Sequence, residues 1–82
     1  MIYNKQEIYS VEEGDYIGHM FIVVDITKDD VCCLKLPDME NIKVPKKSFE
    51  QGRNTDIIRF IEKLPRDVFK TSVAQYEKNE TS

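Results

Sequence analysis

Apolar positions alternate with a period of two through the first half of the chain, and that period changes near residue 50. Met20, Ile22, Val24 and Ile26 fall on one side of an extended segment, and Phe21, Val23 and Asp25 on the other. Both sides are apolar at the centre, which predicts a strand buried on both faces. Thr27-Lys-Asp-Asp30 is a polar turn. Val31 to Leu36 returns as a second strand, with Cys32, Leu34 and Leu36 on one side and Val31, Cys33 and Lys35 on the other. After the turn at 37–41, Ile42 and Val44 alternate with Lys43, and Pro45 removes a ladder donor. That third strand is expected to end early or to lie at a sheet edge. Strands joined by short turns make an antiparallel meander. Residues 1–13 read as an arm or an early strand, with Gln6 to Val11 the candidate, and the meander itself occupies 14–46.

Beyond Gly52, Ile57, Ile58, Phe60, Ile61 and Leu64 recur at helical spacing. Asn54 or Thr55 is a candidate N-cap, and Asp56 suits the positive end of a helix dipole. Pro65 should stop or kink this helix, and it can equally open a second one presenting Val68, Phe69, Ser72, Val73 and Tyr76. Ser48 to Gln51 has the capping-box form and predicts a short helical turn. The expected domain is therefore α+β: a β-meander, then one kinked or two short helices over 54–76, with residues 77–82 frayed.

The stretch from Gly14 to Gly52 resembles an SH3-like small barrel. The likeness rests on Gly14-Asp15 at its opening, the long apolar strand from Met20 to Ile26, and Val44-Pro45 leading to Phe49. It implies a five-stranded, partly open barrel, and it implies no function, because such folds host many.

Composition then limits what the domain can be. A chain of 82 residues makes one domain. With 40% hydrophobic and 33% charged residues it reads as globular. The two cysteines, Cys32 and Cys33, are adjacent, so on a strand they diverge and are not expected to bridge each other. They read as small buried hydrophobes in a reducing, cytoplasmic setting. Residues 1–10 lack the apolar core of a signal peptide, and the longest apolar run, Met20 to Val24, is too short to span a membrane.

No motif announces catalysis. His19 is the single histidine, so any Ser-His-Asp or Cys-His arrangement must run through it, and it reads as a strand-end residue near solvent. Adjacent cysteines do not converge on zinc as ligands two to four residues apart do. Glu12, Glu13, Asp15, Asp29 and Asp30 read as solvated turns, and Gly14, Gly18 and Gly52 are too scattered for a phosphate loop. No catalytic residue, metal ligand or cofactor is expected.

Charge is distributed unevenly. Residues 1–42 carry three basic and nine acidic groups, whereas residues 43–82 carry nine basic and six acidic ones. The basic residues concentrate at Lys43, Lys46, Lys47, Arg53, Arg59, Lys63, Arg66 and Lys70. Arg59, Lys63, Arg66 and Lys70 step by three or four and would line one face of a kinked helix. Tyr3, Tyr9, Tyr16 and Tyr76 are candidates for exposed contacts.

These features point to a small non-enzymatic module that binds a protein partner. The alternative is a nucleic-acid-binding domain that uses the basic segment 43–70. Nine lysines against three arginines, with frequent Ile, suit an AT-rich bacterial or phage genome, where such modules serve as adaptors or inhibitors of host systems. A free sheet edge at Pro45 would allow a homodimer.

Overall fold

The computed structural model describes residues 3–81. It is an α+β domain in which five antiparallel strands form one sheet and two helices cover it. In chain order the elements are β1 (Glu7–Val11), β2 (Met20–Ile26), β3 (Asp30–Leu36), β4 (Glu40–Pro45), α1 (Lys46–Asn54), β5 (Ile58–Lys63) and α2 (Arg66–Thr81). The strand order is β4-β3-β2-β1-β5. β4 and β5 are the two edges and do not pair with each other, so the sheet is open. α1 packs against both β4 and β5 and spans the gap between them.

The two-sided burial expected of the central strands is present. Phe21 and Val23 of β2, with Val31 and Cys33 of β3, face one core, which Tyr9, Val11, Phe49 and Ile58 complete. Ile22 and Val24, with Cys32 and Leu34, face a second core that Ile8, Leu64 and Tyr76 complete. Cys32 and Cys33 are free, buried and on opposite sides of the sheet. Phe49, on α1, is fully buried and lies 5.2 Å from the Tyr9 ring, edge-on. α2 supplies Tyr76 to the other face, and Asn79 and Asn41 tie it down. Asn41 donates to the carbonyl of Tyr76 at 2.9 Å, and Asn79 donates to the carbonyl of Met39 at 2.9 Å and to the side-chain oxygen of Asn41 at 2.8 Å.

A bulge changes the phase of β2. Val23 pairs with Cys33 but Asp25 pairs with Cys32, which leaves Val24 as an extra residue. Ile26 consequently packs on the Phe49 side and does not follow Val24, contrary to plain alternation.

Three sequence expectations are corrected. Residues 58–63 are a strand and not a helix. The spacing misleads because β5 carries its own bulge: Tyr9 pairs with Phe60 and Ile8 with Glu62, so Ile61 is inserted. One extra residue in a period-two segment mimics helical spacing. The eight residues from Ile57 to Leu64 are also too few for a helix to hold by itself, whereas the open edge of β1 offers them a full ladder. Second, the helix-start signals at 54–56 mark an end. Thr55 is the C-cap of α1, with its hydroxyl donating to the Gln51 carbonyl at 2.9 Å, and Asp56 turns left-handed at φ 60°. α1 itself begins at Lys46 after Pro45, without the Ser48 capping box. Third, α2 is helical through Thr81 where fraying is expected, because Asn79 is held by the β3–β4 turn. Ser82 and residues 1 and 2 lie outside the described residues. Of the arm and the early strand read at Gln6 to Val11 the strand forms, over Glu7–Val11, and the edge position of the Pro45 strand and the helix opened after Pro65 agree with expectation.

Gly52 lets α1 approach Ile58 of β5 closely. A Cβ there would meet Cδ1 of Ile58 at 2.7 Å and Cγ1 at 2.8 Å, and Ile58 is itself buried. Gly52→Ala should gain about 1 kcal/mol of helix propensity and incur about 1–3 kcal/mol of overpacking. The expected outcome in urea unfolding is a net loss of about 1 kcal/mol. The loss should shrink when Gly52→Ala is combined with Ile58→Val.

Candidate functional site

The residues between β1 and β2 form a structured loop. Gly14 and Gly18 adopt φ 92° and 86°, a region closed to most side chains. These turns fold the loop back on itself: Gly18 N–H donates to the Val11 carbonyl at 3.1 Å, and Ile17 N–H to the Gly14 carbonyl at 3.2 Å. Glu12 N–H donates to the Ile57 carbonyl at 2.7 Å, which fixes the loop's base to the segment before β5. Three neighbours hold the Tyr16 ring. Phe21 and His19 each lie 6.0 Å away edge-on, and the Lys35 ammonium sits 5.2 Å from the ring centroid. Lys35 is in turn bonded to Asp38 at 3.0 Å and Glu40 at 3.5 Å, and the Asp38 hydrogen bond and the two carboxylates hold its pKa above the ordinary lysine value.

This loop forms one wall of a cleft of about 590 Å³. Its floor is apolar, made by Val11, Phe21 and Ile58. Glu13, Asp15 and Tyr16 stand on the loop side. Opposite them are Ile42 to Pro45 of β4, Ser48 and Gln51 of α1, and Thr55 that caps it. The cleft exists because β4 and β5 do not close the sheet and α1 fills only part of the opening. Its apolar floor can take side chains or a ring, and its carboxylates can meet a cation; Lys43 borders it between Ile42 and Val44 but directs its ammonium to the other face of the sheet, toward Glu80 of α2. The lining includes no histidine or cysteine.

The basic residues singled out by sequence are carried by four different elements. Lys43 is on β4 and lies 3.8 Å from Glu80. Lys46 and Lys47 open α1. Arg53 is half-buried, with its guanidinium carbon 4.9 Å from the Tyr9 ring centroid. Arg59 is on β5 and lies 3.7 Å from Glu12. Lys63 ends β5, and Arg66 and Lys70 are on α2. The expected helical stripe of Arg59, Lys63, Arg66 and Lys70 is therefore not formed, because the first two residues sit on a strand. Of these eight residues only Lys43 lines the cleft.

The loop carboxylates read from sequence as solvated turns, and the cleft they border is not visible there. The signal available is Gly14 and Gly18 bracketing Asp15-Tyr16-Ile17, a pair of glycines that marks a folded loop. The tyrosines also sort differently from expectation. Tyr9 and Tyr76 are buried and Tyr3 is half-buried, while Tyr16 is 41% exposed. His19 sits just before β2, and its Nδ1 lies 3.2 Å from the Tyr16 carbonyl. Among the described residues no group of three or more His, Cys, Asp or Glu side chains could hold a metal ion. No helix among them is long and apolar enough to cross a membrane.

Comparison with known proteins finds no match among family models, curated proteins or solved structures.

The buried Tyr9 phenol donates to Oε1 of Glu7 at 2.6 Å. Burial, and then the Glu7 carboxylate, push its pKa well above the ordinary value of 10.0. Burial raises Tyr3 and Tyr76 as well. A group whose folded pKa is raised contributes stability that is fully present below its unfolded pKa and is lost as pH rises from there through the folded pKa. The urea midpoint should therefore fall as pH climbs above about 10. Tyr9→Phe should flatten part of that fall and should lower stability by about 1–2 kcal/mol at neutral pH through the lost bond to a carboxylate.

Proposed function

We propose that this protein is a non-enzymatic binding module whose cleft between the 12–19 loop, β4 and α1 receives a segment of a protein partner. The observation that carries this reading is the pairing of an apolar floor with carboxylates on one wall. Such a lining favours apolar side chains next to a lysine or arginine. Defined contacts hold the walls in place. Gly14 and Gly18 define the loop, Phe21, His19 and Lys35 pack around Tyr16, and Gly52 seats α1 on Ile58. Preorganised walls lower the entropic cost of binding a flexible segment. The nucleic-acid reading has weaker support, since Lys43 and Arg59 have acidic neighbours and Arg53 is packed on Tyr9.

Selection from a random-peptide display library tests this reading. The expected winners carry two or more apolar residues beside a basic one, and their binding is lost with Tyr16→Ala. Asp15→Lys should remove or invert the preference for the basic residue. If nothing is enriched, and short oligonucleotides instead bind with an affinity that falls steeply between about 50 and 200 mM salt and vanishes on charge reversal at Lys46 and Lys47, the nucleic-acid reading replaces it.

A further inference from the structure

The two edges of the sheet are not equivalent. β4 is blunted: Pro45 lacks a donor, Lys43 reaches Glu80, and Asn79 of α2 binds the carbonyl of Met39 in the turn that leads into it. β5 is protected less fully: it has a bulge at Ile61, the exposed Arg59–Glu12 pair, and α1 packed on it through Ile58. It pairs with β1 alone, residues 59–63 are exposed, and Phe60 and Ile61 are 47% and 45% accessible. An edge strand that presents two large apolar side chains is suited to pairing with another strand.

We propose that the strand it pairs with is β5 of a second copy, in antiparallel register about a twofold axis between Phe60 and Ile61. That register sets Arg59 opposite Glu62, Phe60 opposite Ile61 and Ile58 opposite Lys63, each contact occurring twice. Residues directly opposite in an antiparallel pair share a face of the sheet. In a regular strand, positions three apart lie on opposite faces, so Arg59 could not meet Glu62 this way. The bulge at Ile61 removes the obstacle. Arg59 is aligned with Ser10 and Glu62 with Ile8, and Ser10 and Ile8 share a face of β1. Likewise Ile58 is aligned with Val11 and Lys63 with Glu7, which share the other.

Charge selects this register over its neighbours. Moving the axis onto Ile61 would set Arg59 against Lys63, and moving it onto Phe60 would set Ile58 against Glu62. The bond from Arg59 to Glu12 is exposed at 3.7 Å and is weak enough to be exchanged. The second copy is favoured as occupant because the strand Ile58-Arg-Phe-Ile-Glu-Lys63 is complementary to itself. This inference does not depend on the function of the cleft.

Sedimentation equilibrium of the full chain across a concentration series, with circular dichroism to confirm folding, tests it. The wild type should show a monomer–dimer equilibrium. Glu62→Arg should weaken dimerisation about tenfold or more by opposing two like-charge pairs, and Arg59→Glu should do the same. The combined Arg59→Glu/Glu62→Arg chain should dimerise again. Mixing the two singly substituted chains should give a one-to-one heterodimer, because both arginines of one chain then face both carboxylates of the other. A folded wild type that stays monomeric throughout, a dimer insensitive to Glu62→Arg, or a trimer or larger ring built by β4–β5 pairing would each overturn the proposal.

Discussion

A sheet that is apolar on both faces must be covered on both faces, and most of this fold follows from that requirement. β2 and β3 put Phe21, Val23, Val31 and Cys33 on one side and Ile22, Val24, Cys32 and Leu34 on the other. At roughly 1.5–3 kcal/mol for each large side chain removed from water, neither set can be left exposed in a domain this small. α1 covers the first side with Phe49, and α2 covers the second with Tyr76 and Val73. The polar ties of α2 to the β3–β4 turn set where that cover lies, and the burial beneath it supplies the stabilisation.

The cleft arises from how the first side is covered. α1 has nine residues and buries Phe49 and Gly52. It reaches from β4 to β5 without sealing the space above Val11 and Phe21, and the loop after β1 folds over the remaining side. Two positive-φ glycines and a ring packed among Phe21, His19 and Lys35 give that loop a definite shape. Two acidic residues of the first half, Glu13 and Asp15, thereby border an apolar floor. Concavity, charge and apolar area meet in one place because the sheet stays open between β4 and β5.

Bulges account for most of what the hydrophobic pattern hid. β2 and β5 each contain one, and each shifts the phase of the residues beyond it. In β2 the shift moves only Ile26, since the strand is long and its pattern is otherwise plain. In β5 it falls near the middle of six residues, and the remnant is indistinguishable from one face of a helix. A local reading of residues 54–64 therefore finds a helix beginning where α1 ends. The choice between helix and strand was made by β1, whose outer edge needed a partner, and by Gln6, whose backbone carbonyl accepts from Leu64 N–H at 2.8 Å.

The sequence by itself determined the α+β class, the antiparallel run from β2 to β4, the opposed burial of Cys32 and Cys33, the edge position forced by Pro45 and the helix after Pro65. Each depends on side-chain alternation or on a backbone group that proline lacks, and neither needs knowledge of distant residues. Tertiary structure decided the rest. It made residues 58–63 a strand, buried Tyr9 and Tyr76, divided the basic residues among four elements and brought residues 13–16 to the same cleft as residues 42–58. Those outcomes join positions far apart in the chain, as Tyr9 and Phe60 are, and such pairings leave no periodic trace in either segment.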